Sequence, residues 1–594
     1  MAAYACNNNQ SNNLVVYPYN FIDFYSQNAN FGVVTPQSLG VINPNLISPS
    51  QVLVPCNPPV FVVPSFNFPL NPSVLDQMDE ERSLSLVQLM TNEGLVPSTE
   101  EEDKRRNVIQ KLKEIVLAWV KRVAWQRRLP KEQIAETHAT ILTYGSYGLG
   151  VHGSESDIDA LCLGPEFATM AEDFFVVLHN MLKSRPEVSE IHCVKDAKVP
   201  LMRFKFDGIL IDLPYACLHV LSVPEQNVDV LNPFFLRDLD ETSWKSLSGV
   251  RANKCILQLV PDLEVNDRYR MDAPSFYRSH FLADVFQKFQ SVLRCIKLWA
   301  KRRGVYGNLH GFLGGVHLAI LVAQVCQNHP KGSLNTLVAN FFKTYAYWPW
   351  PTPVMLQDPM LPAAGYPSET RSLMPIRLPC SPHEYCHSNI TRSTFYKIRT
   401  EFLRGHNTTR DLMRPDFDWH FLFEPFPYSK KFARFVKVYL SASNQDELGD
   451  WVGWVKSRFR SLILKLEEVQ GLCDPNPTEY IDVDVTEPHV VFYWGLQPGR
   501  TNLLDIVAVE KDFLKNIHNG FQGSPGRMEL LVVQASQLSK SSQLDSGSGR
   551  RTKACWKNLD YNLPRIPVYS QHLPNYIIGY VDAKADSKYP SAGG

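Results

Sequence analysis

The 594-residue chain lacks an excess of charge of either sign, because 60 lysines and arginines balance 60 aspartates and glutamates. A protein that binds polyanions through a uniformly basic surface is therefore excluded, and a nucleic-acid site must come from local clusters of charge. Long apolar runs are also missing. The stretch 312–326 is too short to cross a bilayer and contains His317, so no membrane association is expected.

Metal-binding or disulfide patterns of cysteine are absent as well. None of the 12 cysteines forms a Cys-x-x-Cys pair. The closest two, Cys380 and Cys386, have no accompanying histidine pattern typical of zinc. This usage predicts free thiols in a reducing compartment.

Charge is nearly missing from the start of the chain. The first 75 residues carry one charged side chain, Asp23, together with 13 asparagines and 10 prolines. Proline removes backbone donors and breaks helices, and no sustained helical or strand period is visible. We expect a disordered tail over 1–73, and a second, serine-rich one over 536–594.

The most informative stretch is 144–159, which reads YGSYGLGVHGSESDID. Gly145 and Ser146 follow a short apolar strand and break it into a turn, where exposed N–H groups suit phosphate oxygens. Asp157 and Asp159 are two residues apart, so in a strand both carboxylates share one face. Paired carboxylates repel each other unless a cation lies between them, and their oxygens suit Mg²⁺ or Mn²⁺.

A lone Asp-x-Asp is more often the solvated end of a strand, so a third acid is needed to indicate a metal site. Asp212 lies in the apolar run 209–213, where an unpaired carboxylate would be costly. It is the expected third ligand, on a neighbouring strand. The constellation resembles the signature of the nucleotidyltransferase superfamily, in which Gly-Ser is followed by Asp-hydrophobic-Asp and a distant third Asp.

Periodicity predicts alternating helices and strands around these acids. The predicted helices are 83–93, one that starts at Thr99, 168–184 and 281–303, and the predicted strands are 191–194, 201–206 and 209–213. Strands that carry three acids beside a helix indicate a mixed sheet with helices on one side. In the last third, the pattern predicts one amphipathic helix over 451–469, a strand over 485–495 and a helical piece over 513–518.

Further motifs occur in the middle of the chain. In order they are IKLWAKRR at 296–303, VYGN at 305–308, GFLGGV at 311–316, WPWP at 348–351 and MPI at 374–376. Periodicity alone makes the first of them a core helix with a basic, solvated end. Taken together, they resemble the central and last domains of the nuclear-type eukaryotic poly(A) polymerases, most of all those of plants. The likeness runs from about residue 66 to 533.

The resemblance implies an α+β fold with three domains. The first is a polymerase-beta-like nucleotidyltransferase domain, a mixed sheet with helices, at 74–222; its first helices are expected to pack with the next domain. A helical central domain follows at 223–373. An RRM-like or ferredoxin-like RNA-binding domain occupies 374–535.

The same resemblance implies a reaction, the template-independent addition of AMP from ATP to RNA 3′ ends in mRNA polyadenylation. Asp157, Asp159 and Asp212 would be catalytic, binding two Mg²⁺ or Mn²⁺ ions and ATP. The further residues implied for ATP contact are Tyr144, Gly145, Ser146, Lys297, Tyr306, Asn308, Gly315 and Val316. The implied partners are the RNA 3′ end and cleavage and polyadenylation factors, with the enzyme itself a monomer.

RNA affinity in a neutral chain must come from local basic surface. Lys456, Arg460 and Lys465 on the predicted 451–469 helix are expected to hold the primer backbone without reading its sequence. Exposure to solvent without any contact is the alternative for each of them. A second candidate track is the basic end of the central helix at 301–303.

Two positions depart from the family pattern. The family usually has Arg after Gly-Ser-Tyr, where this chain has Gly148, and Asn before Gly-x-Arg, where it has Ser248. Both changes keep the backbone and alter a side-chain donor, so rate or nucleotide selectivity could differ. All three acids remain, so loss of activity is not inferred.

Two other functions stay open from sequence alone. One is a terminal transferase that adds uridylate or mixed tails, and the other is a catalytically weak RNA-binding paralogue. Nucleotide preference separates the two enzymes, and binding without incorporation would indicate the paralogue. The nucleus is expected from function, with the cytoplasm as the alternative, because RRTK at 550–553 is a poor substitute for the long basic tail of many relatives.

Overall fold

The computed structural model describes residues 72–538, apart from 196, 225–227, 261–287, 357–371, 381–385, 415, 483–484 and 498–504. Its helices are α1 (Pro72–Asn92), α2 (Thr99–Gln126), α3 (Lys131–Glu136), α4 (Gly145–Gly148), α5 (His179–Lys183), α6 (Pro233–Leu236), α7 (Glu241–Leu259), α8 (Lys288–Arg302), α9 (Gly315–Asn328), α10 (Leu334–Ala346), α11 (Arg392–Thr409), α12 (Tyr428–Lys431), α13 (Gln445–Lys456), α14 (Phe459–Val469) and α15 (Ile506–His518). The tails expected over 1–73 and 536–594 lie almost wholly outside the described residues.

The first sheet is mixed, as the sequence predicts. Its strands are β1 (Thr140–Tyr144), β2 (Ile158–Gly164), β3 (Val188–Val194), β4 (Leu201–Phe206) and β5 (Ile209–Cys217), in the order β1-β2-β5-β4-β3. Strands β2 and β5 are parallel, and the other neighbours are antiparallel. The parallel pair lies at the centre of the sheet, and each of its two strands carries a predicted acid.

The expectation of helices on one side of this sheet is wrong. Alternate residues of β2 point to opposite faces, and from Ala160 onward both sets are apolar and buried. Ile158 packs in a core with α2, whereas Leu161 packs on the other face with Leu247 of α7. The sheet is therefore enclosed by helices on both faces, as expected for parallel strands that are apolar apart from the acids.

Two predicted helices of this region have different bounds in the structure. Instead of starting at 83, α1 begins at Pro72, where a proline without an N–H donor fits the first helical turn. The helix expected over 168–184 is a π-helical segment, Met170–Leu178, that continues directly into α5. Helix α2 begins at Thr99, and Ser98 forms a capping box with Glu101.

The central core is built almost entirely from helices. Trp299 of α8 is fully buried and stacks on Phe402 of α11, with ring centroids 5.6 Å apart. Leu86 and Met90 of α1 are buried in the same core, so the first helix of the described chain packs here rather than on the sheet. A 3-10 turn, Asn308–His310, separates α8 from α9.

The C-terminal sheet has four antiparallel strands. They are β6 (Arg434–Ser441), β7 (Cys473–Asp474), β8 (His489–Leu496) and β9 (Arg527–Gln534), in the order β7-β8-β6-β9. One face packs against α13, α14 and α15, which fits the RRM-like expectation. The other face packs against aromatic side chains, among them Phe426 and Phe432.

Within this region, the prediction of a single helix over 451–469 is wrong. The structure has two helices, α13 and α14, because the backbone leaves helical geometry at Arg458. The consecutive aromatics Phe492, Tyr493 and Trp494 of β8 are all buried in the two cores of the sheet, so none of them is exposed for base stacking. None of the helices in the described ranges is both long and apolar enough to cross a membrane.

Candidate active site

The structure brings the three predicted acids together at one edge of the central strands. Asp159 is the second residue of β2 and is paired in register with Asp212 of β5. Asp157 directly precedes β2. Each acid offers a carboxylate oxygen, and these oxygens all lie within 4.8 Å of one another. In the described part of the chain, no other group of three or more histidines, cysteines or acids meets this criterion.

The acids occupy a site where negative charge is unfavourable. Burial, together with the nearby charges of Asp157 and Asp212, raises the pKa of Asp159 to about 7. Burial and the same three carboxylates also raise the pKa of Tyr144, the register partner of Asp159 in β1. A clustered set of hard oxygen donors that repel one another matches the preference of Mg²⁺ and Mn²⁺. The residues present therefore fit a divalent cation.

Asp212, which is expected to need a partner in its apolar strand, has one within the chain. Arg203 of β4 stands opposite it in register and donates two hydrogen bonds of 2.6 Å to its carboxylate oxygens. Antiparallel neighbours in register place these side chains on the same face. The sequence pattern showed the apolar surroundings of Asp212, but the register that supplies its partner is visible only in the folded sheet.

The turn after β1 is shaped by Asp159. Gly145 has φ +62°, and the Asp159 carboxylate occupies the space that a Cβ at this position would need. Only glycine meets both conditions. Ser146 follows in the short helix α4, and its carbonyl accepts a hydrogen bond of 2.8 Å from the Val151 amide. The phosphate-binding turn predicted from the sequence thus lies directly against the acids.

Two predicted ATP contacts from the central helices are electrostatically coupled to the acids. Burial, together with Lys301, lowers the pKa of Lys297 to about 8, whereas Asp157 and Asp159 oppose that shift. Burial raises the pKa of Tyr306, and Asp157 and Asp159 raise it further. Lys297 and Tyr306 therefore lie close enough to the acids for their charges to interact.

The remaining predicted ATP contacts cluster around Tyr306. A Cβ on Gly315 would lie 3.4 Å from the Tyr306 hydroxyl, and Val316 packs against the central core. Asn308 is held by Asn389, whose backbone N–H donates to Asn308 Oδ1 at 3.2 Å and whose side chain donates to Asn308 O at 3.1 Å. The Asn308 side chain is therefore fixed at the start of the 3-10 turn.

The segment 149–156, which we term the strap, joins the turn to Asp157 and is held by side chains from two helices. From α8, Gln290 donates to Leu149 O at 3.1 Å, Arg294 to Gly150 O at 2.6 Å and Lys297 to Val151 O at 3.4 Å. From α2, the buried Arg105 donates to Ser154 O at 2.8 Å and to Ser156 O at 2.7 Å, and Glu102 is hydrogen-bonded to His152.

The sequence did not reveal that these residues hold the strap, and of them only Lys297 was predicted as a site residue, for contact with ATP. Gln290, Arg294 and Lys297 recur at helical spacing, so they share one face of α8. A polar stripe of this kind looks like a solvated face when the opposite helix stripe is apolar, as it is here. The isolated Arg105 on α2 also gave no signal, because its three carbonyl partners come from a loop about 50 residues away.

The three predicted RNA contacts lie on α13 and α14, and each has a partner. Lys456 pairs with Glu479 at 2.7 Å, and Lys465 lies 3.3 Å from both Glu468 and Asp512. Arg460 donates to Ile390 O at 3.3 Å. At the alternative track, Arg302 pairs with Glu93 and Arg303 with Glu401, while Lys301 lies over the Tyr306 ring.

Comparison with models of protein families matches two regions of the chain. Residues 69–260 match the poly(A) polymerase nucleotidyltransferase domain, and residues 288–425 match the poly(A) polymerase central domain. The acids lie in the first match, and Lys297, Tyr306, Asn308, Gly315 and Val316 lie in the second.

Several named proteins are similar to this chain over most of its length. Nuclear poly(A) polymerase 3 of Arabidopsis thaliana is 60% identical over 515 residues, covering 86% of this chain and 96% of that protein. Nuclear poly(A) polymerase 4 of the same plant is 38% identical, covering 72% of this chain and 56% of its own length. Poly(A) polymerase of Dictyostelium discoideum is 36% identical, with 78% and 57% covered.

Among solved structures, a crystal structure of Cid1 poly(U) polymerase is 15% identical to this chain, with a TM-score of 0.38. It covers 58% of this chain and 99% of its own.

Proposed function

The chain belongs to the poly(A) polymerase family, and on that premise we propose that it adds AMP from ATP to RNA 3′ ends without a template, by two-metal catalysis. The observation that carries the proposal is the clustering of Asp157, Asp159 and Asp212 within electrostatic reach of Lys297 and Tyr306. An acidic cluster alone would fit many metal sites. The nearby ammonium and phenol groups are donors that can bind the oxygens of a triphosphate.

We assign Asp157, Asp159 and Asp212 as the ligands of Mg²⁺ or Mn²⁺, because they offer clustered hard oxygens whose repulsion a cation relieves. Two bound ions would activate the primer 3′-OH and stabilise the leaving pyrophosphate. Asp212 would serve chiefly the hydroxyl side, and Asp157 and Asp159 both sides. Each Asp212 oxygen accepts one hydrogen bond from Arg203, so a metal ion would use a remaining lone pair or displace one of these bonds.

The triphosphate would be bound from both domains that flank the acids. Gly145 and Ser146 would donate backbone and hydroxyl hydrogen bonds to the β- and γ-phosphates, in a turn that Tyr144 opens. Lys297 would exchange its long 3.4 Å hydrogen bond to Val151 O for a phosphate oxygen. A charge-assisted hydrogen bond to phosphate is the stronger of the two, so binding of ATP favours that exchange. Tyr306 would contribute its hydroxyl.

The adenine would lie beside the 3-10 turn of the central domain. Gly315 lies next to the Tyr306 hydroxyl, and Val316, which packs on the central core, would provide an apolar side chain for the base. Asn308, fixed by Asn389, would border the same pocket. Enclosing the base between two domains would exclude water from the reacting phosphate.

RNA would be held through its backbone by local basic surface on the C-terminal domain. Lys456, Arg460 and Lys465 remain our candidates, although their present partners lower the affinity that each can contribute. A contact to phosphates without base readout suits an enzyme whose product is a homopolymer.

We also propose that the protein acts in the nucleus with cleavage and polyadenylation factors. The support is the similarity to proteins named nuclear poly(A) polymerases. Imaging of the tagged full chain, with and without the basic patch 550–553, tests the location. Exclusive cytoplasmic signal of the intact chain would contradict it.

The proposed activity is tested by extension of a labelled RNA primer with Mg²⁺ and each of the four nucleotides in turn. Long products with ATP alone are expected. Preferred use of UTP, or binding of RNA without any incorporation, would contradict the proposal.

A further inference from the structure

Helix α7 packs directly against the phosphate-binding turn. The side chain of Asn253 on this helix is buried, and its Nδ2 donates a hydrogen bond of 3.0 Å to the Gly145 carbonyl. The Leu149 amide donates to the same oxygen at 3.1 Å from within the turn. Asn253 thus supplies a fixed donor from outside the turn, 108 residues away in sequence.

The approach depends on two residues without side chains. A Cβ on Gly148 would lie 2.9 Å from Asn253 Nδ2 and 2.9 Å from Thr143 O, which is too close for any larger residue. A Cβ on Gly249 of α7 would lie 2.7 Å from the Tyr144 ring. Together these glycines let the helix backbone and the turn pack directly, with the Asn253 amide filling the space beside Gly148.

Gly145 connects the hydrogen bond from Asn253 with the expected catalytic acids. Its missing side chain is what lets the Asp159 carboxylate lie against the turn. A shift of the Gly145 peptide therefore moves both the expected phosphate donors and the surface that supports Asp159.

We propose that Asn253 is a positioning residue for ATP, which acts by holding the Gly145 peptide in the conformation that receives the triphosphate. The inference rests on the proposed function of the turn. A neutral amide suits this place, because a lysine or arginine would compete for the nearby acids, whereas a carboxylate would direct an acceptor at another acceptor. The donated hydrogen, rather than the volume of the side chain, is the feature required.

That requirement makes Asn253→Asp the informative variant, because it keeps the size and shape of the side chain and removes the donor. Asn253→Ala removes both the donor and the volume, and leaves the Gly145 carbonyl its internal Leu149 partner. The matched control is Gln258→Ala, an exposed position on the same helix. Each full-length variant is compared with the wild type by KM for ATP, kcat, KM for RNA, Tm and affinity for α,β-methylene-ATP with Mg²⁺.

We expect Asn253→Asp to raise KM for ATP and to weaken analogue binding by about tenfold or more, which is the usual scale for a lost buried hydrogen bond with a repulsive replacement. Asn253→Ala should have a smaller effect in the same direction. KM for RNA should stay unchanged in both, and the control should match the wild type throughout. Should the Asp variant fail to fold, the Ala variant still decides the question through analogue affinity.

Wild-type values of KM for ATP and of analogue affinity in Asn253→Ala would overturn the inference. So would an Asp variant that equals the wild type, or variants that lower Tm and kcat without changing affinity for ATP, since these mark a purely structural role. A wild type that fails to extend RNA with ATP would instead contradict the proposed function.

Discussion

Arg203 donates two hydrogen bonds of 2.6 Å to the carboxylate of Asp212, from the neighbouring strand β4. Both oxygens of one expected metal ligand are therefore engaged by a cation that belongs to the chain itself. Because Asp157 and Asp159 lie close by, this guanidinium also offsets the repulsion among three carboxylates. The pairing links stability of the ligand-free protein to the affinity of the site for metal.

Replacing Arg203 should tighten metal binding. Arg203→Gln frees the Asp212 oxygens and leaves the site more negative, so the affinity for Mn²⁺ without ATP or RNA should rise several-fold. Tm without metal should fall, because the carboxylates then repel one another. Titration of free Mn²⁺ by electron paramagnetic resonance measures the affinity.

The control for that experiment is Lys205→Gln, which removes a cation of the same strand that pairs with Glu190. Its affinity for Mn²⁺ should equal that of the wild type. Unchanged or weaker Mn²⁺ binding by Arg203→Gln would show that Arg203 does not compete for Asp212.

Lys297→Ala and Tyr306→Phe should weaken the use of ATP and spare the binding of RNA. Loss of a charge-assisted hydrogen bond at Lys297 costs about 1.5–3 kcal/mol, so KM for ATP should rise roughly 10- to 100-fold. Loss of the Tyr306 hydroxyl should have a smaller effect. Steady-state kinetics with either substrate varied, beside the exposed control Lys343→Ala, measures both. Unchanged kinetics for ATP in both variants would leave Lys297 a partly solvated helix residue.

The triple change of Lys456, Arg460 and Lys465 to Ala should raise KM for RNA and leave KM for ATP unchanged. Because each lost phosphate contact releases fewer counterions, the dependence of RNA affinity on salt should become flatter. A control triple on α2, Lys104, Lys113 and Arg122 to Ala, removes the same formal charge from exposed positions. If the dependence of RNA affinity on salt did not change, the primer would bind at another surface, and Lys301 would be tested next.

His310 should make the protein less stable in acid. Burial, and secondarily Lys456, lowers its pKa to about 3, so the folded chain keeps it neutral between Phe459 and Phe492. Below about pH 6.5, the unfolded chain takes up a proton that the folded chain does not. The contribution of neutral His310 to the stability of the fold is therefore complete above about pH 6.5. It is lost as the pH falls toward 3.

The loss amounts to about 1.4 kcal/mol for each pH unit below 6.5. His310→Gln should show a correspondingly smaller fall in the free energy of unfolding between pH 6.5 and 5, measured by denaturant titration. His329→Gln, at an exposed position, serves as the control. Equal pH dependence of His310→Gln and the wild type would contradict the assignment.

The local features of the site were predictable from sequence because the residues that form them are close together in the chain. Gly145, Asp157 and Asp159 lie within 15 residues, and strand alternation is enough to put the acids on one face. Asp212 was predictable as a polar residue in an apolar strand. What the sequence did not show is how separate segments are aligned.

The missed features all depend on register or on long-range contacts. Arg203 meets Asp212 only through the pairing of β4 with β5, and Asn253 meets Gly145 only through the packing of α7. The break between α13 and α14 at Arg458 was missed because the apolar spacing continues across it. Helical periodicity reports which face is buried, but it does not report where the backbone departs from the helix.

Metal-dependent addition of AMP is decided by incubating a labelled RNA primer with Mg²⁺ and each single nucleotide, using the wild type and Asp159→Ala. We expect long tails from ATP alone with the wild type. We expect none with Asp159→Ala, whose Tm should not fall, because the lost carboxylate is repelled by Asp157 and Asp212 in the metal-free chain. Near-normal tail addition by Asp159→Ala, or a wild type that extends the primer better with another nucleotide, would contradict it.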